Sequence, residues 1–97
     1  MTSLIIYDNT FLRQFEVEVD QGLAKIEYAL QDRKIFLTKL VVPNSETNPG
    51  FEETFIREVF EIIKEKNIRI MPTSPQIRQF IKKNKEFKDL LPIGIRL

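Results

Sequence analysis

The stretch IFLTKLVVPNSETNPGFEETFIREVFEIIKEKNIRIM, residues 35–71, decides the architecture because its period changes twice. Ile35 to Val42 is a strand-length run, apolar on both sides toward its end, which predicts an interior strand covered on both faces. Pro43, Asn44, Ser45, Thr47, Asn48, Pro49 and Gly50 then interrupt it with a polar loop. Phe55, Ile56, Val59, Phe60 and Ile63 recur at steps of one, three and four, the stripe of an amphipathic helix. Glu52 and Glu53 fall in its first turn and Lys64 and Lys66 in its last, each sign where the helix dipole favours it, and Asn67 suits a left-handed residue that ends it. Ile68 to Met71 is short and apolar again. A strand, a helix and a strand predict a right-handed crossover, with Ile68–Met71 parallel to the strand that ends at Val42.

Upstream of this unit the period is two. Phe15, Val17 and Val19 alternate with Glu16, Glu18 and Asp20; after a turn at Asp20-Gln21-Gly22, Ala24, Ile26, Tyr28 and Leu30 alternate with Lys25, Glu27 and Ala29. Gln31-Asp32-Arg33 can turn the chain again, so the three strands predict an antiparallel meander, with Leu4–Tyr7 as a short strand before it. Downstream, Pro72-Thr73-Ser74-Pro75 leads into a second helix carrying Ile77, Phe80 and Ile81. The order predicts one α+β domain over residues 1–97, with a mixed, mostly antiparallel sheet and two main helices.

Composition narrows the function classes. The 97 residues carry a net charge of +1, with 42% hydrophobic and 30% charged side chains, the balance of a folded globular chain. Such a charge gives no field to attract nucleic acid, although Arg78, Lys82, Lys83, Lys85 and Lys88 gather late; they suit a solvated helix face or an anion-attracting patch. There is no Cys and no His, which removes disulfides, a thiolate nucleophile, the commonest general base and the commonest zinc ligand, and no metal site is expected. No apolar run reaches the roughly 20 residues of a membrane span, and the N-terminus lacks the basic region of a signal peptide. The expectation is a cytoplasmic protein, without membrane or nucleic-acid partners, as a monomer or weak homodimer. Phe11, Phe51 or Phe87 would mark an interface if exposed, and the apolar tail Ile93-Gly94-Ile95-Arg96-Leu97 is expected to dock as an extra strand or on a partner.

Five local strings, in order, carry a resemblance. Phe15-Glu16-Val17-Glu18-Val19-Asp20 is followed by Ala24-Lys25-Ile26-Glu27-Tyr28-Ala29-Leu30, then by Val42-Pro43, by Met71-Pro72-Thr73-Ser74-Pro75, and by the segment from Phe80 to Leu90. Over about Gln14 to Leu91 the chain resembles the YjdJ-type branch of the GNAT acetyltransferases, whose strings include A-x-I-E-Y-x-L, P-x-C-P and Y-I-R-R-H-P-E-Y-x-D-L. The resemblance implies a GNAT fold and transfer of an acetyl group from acetyl-CoA to an amine, on a small molecule or a protein. It implies a cofactor cleft formed by Leu40, Val41, Val42, Asn48, Gly50, Phe51 and Ser74. As catalytic residues it implies Glu27 as general base and Tyr28 as proton donor to the leaving thiolate, with Ser74 where the family has its Cys.

The pattern departs from the family at three places. The family's R-G-x-G-I-G loop, whose backbone N–H groups enclose a diphosphate, is replaced by Ser45-Glu46-Thr47-Asn48-Pro49-Gly50-Phe51-Glu52-Glu53; only Gly50 remains, and Pro49 has no N–H. A carboxylate within ~5 Å of a phosphate, at an effective dielectric near ~20, opposes it by about 3 kcal/mol per charge pair. Ser74 replaces Cys, and Asn84 replaces His. Each candidate also has a plainer role: Glu27 as an exposed strand carboxylate, Tyr28 as a core residue, and Ser74 as an N-cap ahead of Pro75 at the first helical position. Two functions stay open on the sequence, an acetyltransferase and a non-catalytic member that keeps the scaffold and binds in the former cleft.

Overall fold

A computed structural model of the protein describes residues 4–19, 22–43 and 49–95. Strands β1 (Tyr7–Asn9), β2 (Gln14–Val19), β3 (Gly22–Gln31), β4 (Lys34–Val41) and β5 (Arg69–Pro72) form a five-stranded sheet in sequence order. The pairings from β1 through β4 are antiparallel, and β4 pairs with β5 in parallel, as a helical crossover requires. The crossover is α1 (Phe51–Glu65); α2 (Pro75–Lys83) and a 3-10 helix (Lys85–Leu90) follow β5. This is the mixed α+β arrangement expected. The first strand lies at Tyr7–Asn9 rather than Leu4–Tyr7, and Asn67 ends the α1 region with φ 59°.

The register stacks Phe15 on Ile26 and Ile26 on Leu40, and Ile35 on Ile70, so one face of the sheet presents a continuous apolar layer. On that layer α1 sets Phe55, Ile56, Val59, Phe60 and Ile63, and α2 sets Ile77, Phe80 and Ile81, all buried in one core. Phe60 meets Phe80 and Phe87 edge-on, with ring centroids 5.5 and 5.2 Å away. Arg57 lies over both of those rings, at 5.5 and 5.4 Å, and donates to Glu86 and Asn84. The segment from Phe80 to Glu86 therefore closes on a single α1 guanidinium, and Asn84 also bonds back to the Phe80 carbonyl.

The opposite face of the sheet is open, which corrects the expectation that the Ile35–Val42 strand is covered on both sides. Phe36 and Val41 are half-buried, and Thr38 and Lys39 are exposed. The helices occupy one face only, so the apolar character of this strand on its second side reflects a partly wet surface. Phe51 and Phe87 belong to the core, whereas Phe11 is 91% exposed. Ile93–Ile95 forms no strand, and Ile93 is exposed; Arg96 and Leu97 lie outside the described residues. Arg78, Lys82, Lys83, Lys85 and Lys88 are all exposed on α2 and the 3-10 helix.

Candidate functional site

The parallel pair β4–β5 is short. Its register runs from Lys34↔Arg69 to Leu37↔Pro72 and stops there. At this vertex the Leu37 carbonyl accepts from the Thr73 N–H at 3.1 Å, from the Ser74 N–H at 3.0 Å and from the Thr73 hydroxyl at 3.0 Å. The three donors tie the end of β5 to β4 at one atom, and Pro75 then starts α2 and turns the chain away. Past that point β4 continues to Val41, paired only with β3. Among the described residues no strand lies along the other edge of Thr38–Val41, so on that side its backbone groups have no ladder partner.

A bulge sits at the start of this unpaired edge. Tyr28 pairs with Leu37 and Glu27 with Lys39, leaving Thr38 without a partner on β3; its hydroxyl donates to the Glu27 carbonyl at 3.2 Å. An extra residue bends the strand and redirects its backbone groups, and here it does so at the residue after the Leu37 vertex. Leu40 is buried and belongs to the core; Val41 and Val42 are half-buried. Asn48 lies outside the described residues.

At the far side of the connecting loop, Gly50 is the N-cap of α1, with φ 81° and open space where a Cβ would project. A side chain at that φ is strained, which gives the one retained loop glycine a backbone reason. Its carbonyl accepts from the Thr54 N–H at 3.0 Å, and no side chain caps the helix. Among the described residues the first N–H groups of α1 therefore have no side-chain partner. Phe51 turns its ring into the core against Phe55, so what it offers a ligand is its backbone. Glu52 and Glu53 are exposed beside it and share with Gln76, Gln79, Phe80 and Lys83 a groove of about 230 Å³ between the first turn of α1 and the length of α2.

The three catalytic candidates do not converge. Glu27 is half-buried on the open face and pairs with Lys25 at 3.4 Å. Tyr28, its neighbour in β3, points to the core face, where its ring lies 5.0 Å from Phe15. The Tyr28 hydroxyl donates to Asp8 at 2.6 Å. Burial, then the bond to Asp8 and its negative charge, push this phenol up to about 12, so it keeps its proton throughout the neutral range. Ser74 is the N-cap of α2, 1% exposed, with Pro75 following; its hydroxyl donates to Gln76 at 2.9 Å instead of capping a helix N–H. The bulge at Thr38 and the roles of Leu37 and Thr73 were not anticipated. Their signal is present, since the buried positions of β4 step from Ile35 and Leu37 to Leu40, an odd increment that a bulge restores to one face.

The structure is similar to the NMR solution structure of a GCN5-like protein from Staphylococcus aureus, with a TM-score of 0.71 at 21% identity, over 99% of this chain and 94% of that one. No curated protein matches the sequence. The model of the GCN5-related N-acetyltransferase family matches residues 14–90, from the first residue of β2 to the last of the 3-10 helix, and so includes the vertex, the bulge and the helix start. The chain belongs to the GCN5-related N-acetyltransferase family.

Proposed function

We propose that the protein transfers an acetyl group from acetyl-CoA to an amine, with the thioester arm laid along the unpaired edge of Thr38–Val41. The observation that carries this reading is a backbone edge without a strand partner among the described residues, beginning at a bulge next to the Leu37 carbonyl that ties β5 to β4. The arm's amide groups would complete the ladder that β5 leaves unfinished. When bound, acetyl-CoA would supply an activated acyl carbon for the amine nitrogen to bond to as the carbon–sulfur bond breaks, the amine giving up one proton and the departing thiolate taking one up from solvent. Backbone groups fixed by the fold at the bulge can polarise the acyl oxygen without any catalytic side chain. Glu27, beside the bulge on the open face, would take the proton from the amine on this reading. Tyr28 spends its proton on Asp8, and Ser74 is enclosed, which fits direct attack by the amine without a covalent serine intermediate.

One observation favours a second reading, a scaffold that binds at this edge without transferring. The first N–H groups of α1 suit a diphosphate, but exposed Glu52 and Glu53 stand beside them, Pro49 offers no N–H, and no Lys or Arg occurs from Val42 to Ile56. Calorimetric titration with coenzyme A and with acetyl-CoA separates the two. Binding in the micromolar range is expected, and the substitutions Glu52→Lys and Glu53→Gln should each tighten it severalfold by removing a repelling carboxylate. No heat up to about millimolar ligand would remove the acetyl-transfer reading. Binding that ignores both substitutions would place the phosphates away from the start of α1.

A further inference from the structure

A second groove lies at the other side of the sheet, on the open face of β1–β3. It has a volume of about 550 Å³ and is lined by Leu4, Ile5, Tyr7, Glu16, Glu18 and Leu23, with Val17 below. The register sets Tyr7 beside Glu16 and Glu18 beside Leu23, so two carboxylates two residues apart stand on one face, between apolar walls. The walls are unusually wet for their type: Ile5 is 89% and Tyr7 63% exposed.

Glu16 is held in place. The Asn9 amide donates to its Oε2 at 2.9 Å and the Gln14 amide at 2.6 Å, and Gln14 is itself buried. Both bonds end on one oxygen, which leaves Oε1 free to accept. Lys25, opposite Glu16 in the register, pairs with Glu27 instead, and among the described residues no Lys or Arg nitrogen forms a salt bridge with Glu16 or Glu18.

The groove runs beside an edge. β1 pairs with β2 on one side, and among the described residues no strand pairs with its other side. Tyr7-Asp8-Asn9 carries none of the lysines or prolines that commonly guard an edge from strand addition. An extended chain laid there would gain main-chain hydrogen bonds and send alternate side chains onto the open face. An apolar side chain fits against Ile5, Tyr7 and Leu23, and a cation fits between Glu16 and Glu18. A groove open along an unpaired strand suits such a segment better than a small molecule, which prefers an enclosed pocket.

We propose that this groove docks an extended peptide, with basic and apolar side chains in alternation, from the protein that bears the acceptor amine. The docking itself requires only the groove; the role given to the peptide rests on the acetyl-transfer reading. Leu23 follows Gly22, and a Cβ on Gly22 would lie 2.8 Å from the Pro43 ring, so the groove is at the sheet end where β4 opens. From the outer edge of β1 to the unpaired edge of β4 is about 24 Å, five strand spacings, which seven or eight further extended residues cover.

The test is an NMR titration of nitrogen-15-labelled protein with the capped peptide Leu-Lys-Leu-Lys-Leu, with its glutamate counterpart Leu-Glu-Leu-Glu-Leu, and with spermidine. The basic peptide should shift the amides of Tyr7, Glu16, Glu18 and Leu23 and saturate near about millimolar concentration, more weakly at high salt. The double substitution Glu16→Gln/Glu18→Gln should raise its apparent Kd about fivefold or more, as loss of two exposed charge pairs implies. Leu23→Lys, at a partly exposed position, should weaken binding similarly and serves if the double variant does not fold. Equal shifts with the glutamate peptide would mean apolar adhesion. Equal shifts with spermidine would mean a polyamine site. Either result, no shifts in the groove, or an affinity indifferent to both variants overturns the proposal. The titration uses no acetyl-CoA and reads no turnover, so its failure leaves the acetyl-transfer reading standing, and failure of coenzyme A to bind leaves the docking result standing.

Discussion

Tyr28 shows how one residue in a family-like string serves the fold. Alternation with Ala24, Ile26 and Leu30 sets it on the apolar face, whereas the family string implies a proton donor. The structure gives it a core ring and a hydroxyl committed to Asp8 across β2. Its proton is held to about 12, against an ordinary value of 10.0. The unfolded chain therefore ionises first as pH rises. The stabilisation is complete below the unfolded value and is lost as pH climbs through the folded one, so it disappears between about pH 10 and 12, with a magnitude of about 3 kcal/mol. Other groups titrate there too, so the comparison to make is between wild type and Tyr28→Phe by urea denaturation. The stability difference between them should stay constant below pH 10 and shrink steadily above it. Parallel curves across this range would show that the phenol is not shielded. Gln14 and Glu16 were less legible: they read as an ordinary polar face, and only the register reveals that Gln14 is buried and orients Glu16.

Among the elements, the β3–β4 hairpin was foreseen at Gln31-Asp32-Arg33, but its geometry is tighter than the residues suggest. Asp32 and Arg33 occupy the two turn positions with φ 53° and 62°, the left-handed pair that matches the twist of the flanking strands. Asp tolerates this region, whereas an arginine there crowds its Cβ against the backbone. The Arg33 carbonyl accepts from the Arg69 N–H at 3.1 Å, an anchor to β5 that any residue retains, and the side chain is exposed. Arg33→Gly should therefore raise stability by about 0.5–1 kcal/mol, read as a higher urea midpoint with an unchanged slope. A lower midpoint would mean that the arginine side chain contributes more than its backbone costs. The bulge in β4 was legible in the same way, as the odd step from Leu37 to Leu40, but a polar Thr38-Lys39 inside a strand also fits plain exposure. Sequence periodicity shows that something breaks there; only pairing shows that the break is one inserted residue.

At the scale of the molecule, strand order, the parallel crossover and the assignment of both helices followed from where the period changes. What the sequence could not convey is which layers exist. Phe36, Val41 and Met71 look like the second face of a covered strand, yet both helices pack on the other face, because the aromatic cluster of Phe60, Phe80 and Phe87 holds them together. The open face is a consequence of that choice, and on the acetyl-transfer reading a coenzyme would meet two environments, a neutral backbone edge for the thioester arm and an acidic helix start for the nucleotide. A ligand that binds only the folded state adds about 2.7 kcal/mol at a hundred times its Kd. For a chain of this size that raises the melting temperature by about 10–20 °C, at about 4–8 °C per kcal/mol. Because Glu52 and Glu53 oppose the diphosphate, acetyl-pantetheine, the arm without the nucleotide, should stabilise nearly as well as acetyl-CoA, with a Kd within about tenfold. The free nucleotide, 3′-phospho-ADP, should give no shift at the same concentration. Thermal melts with the three ligands decide it: a shift from the nucleotide but none from the arm would mean that the β4 edge does not hold the thioester, whatever the helix start binds.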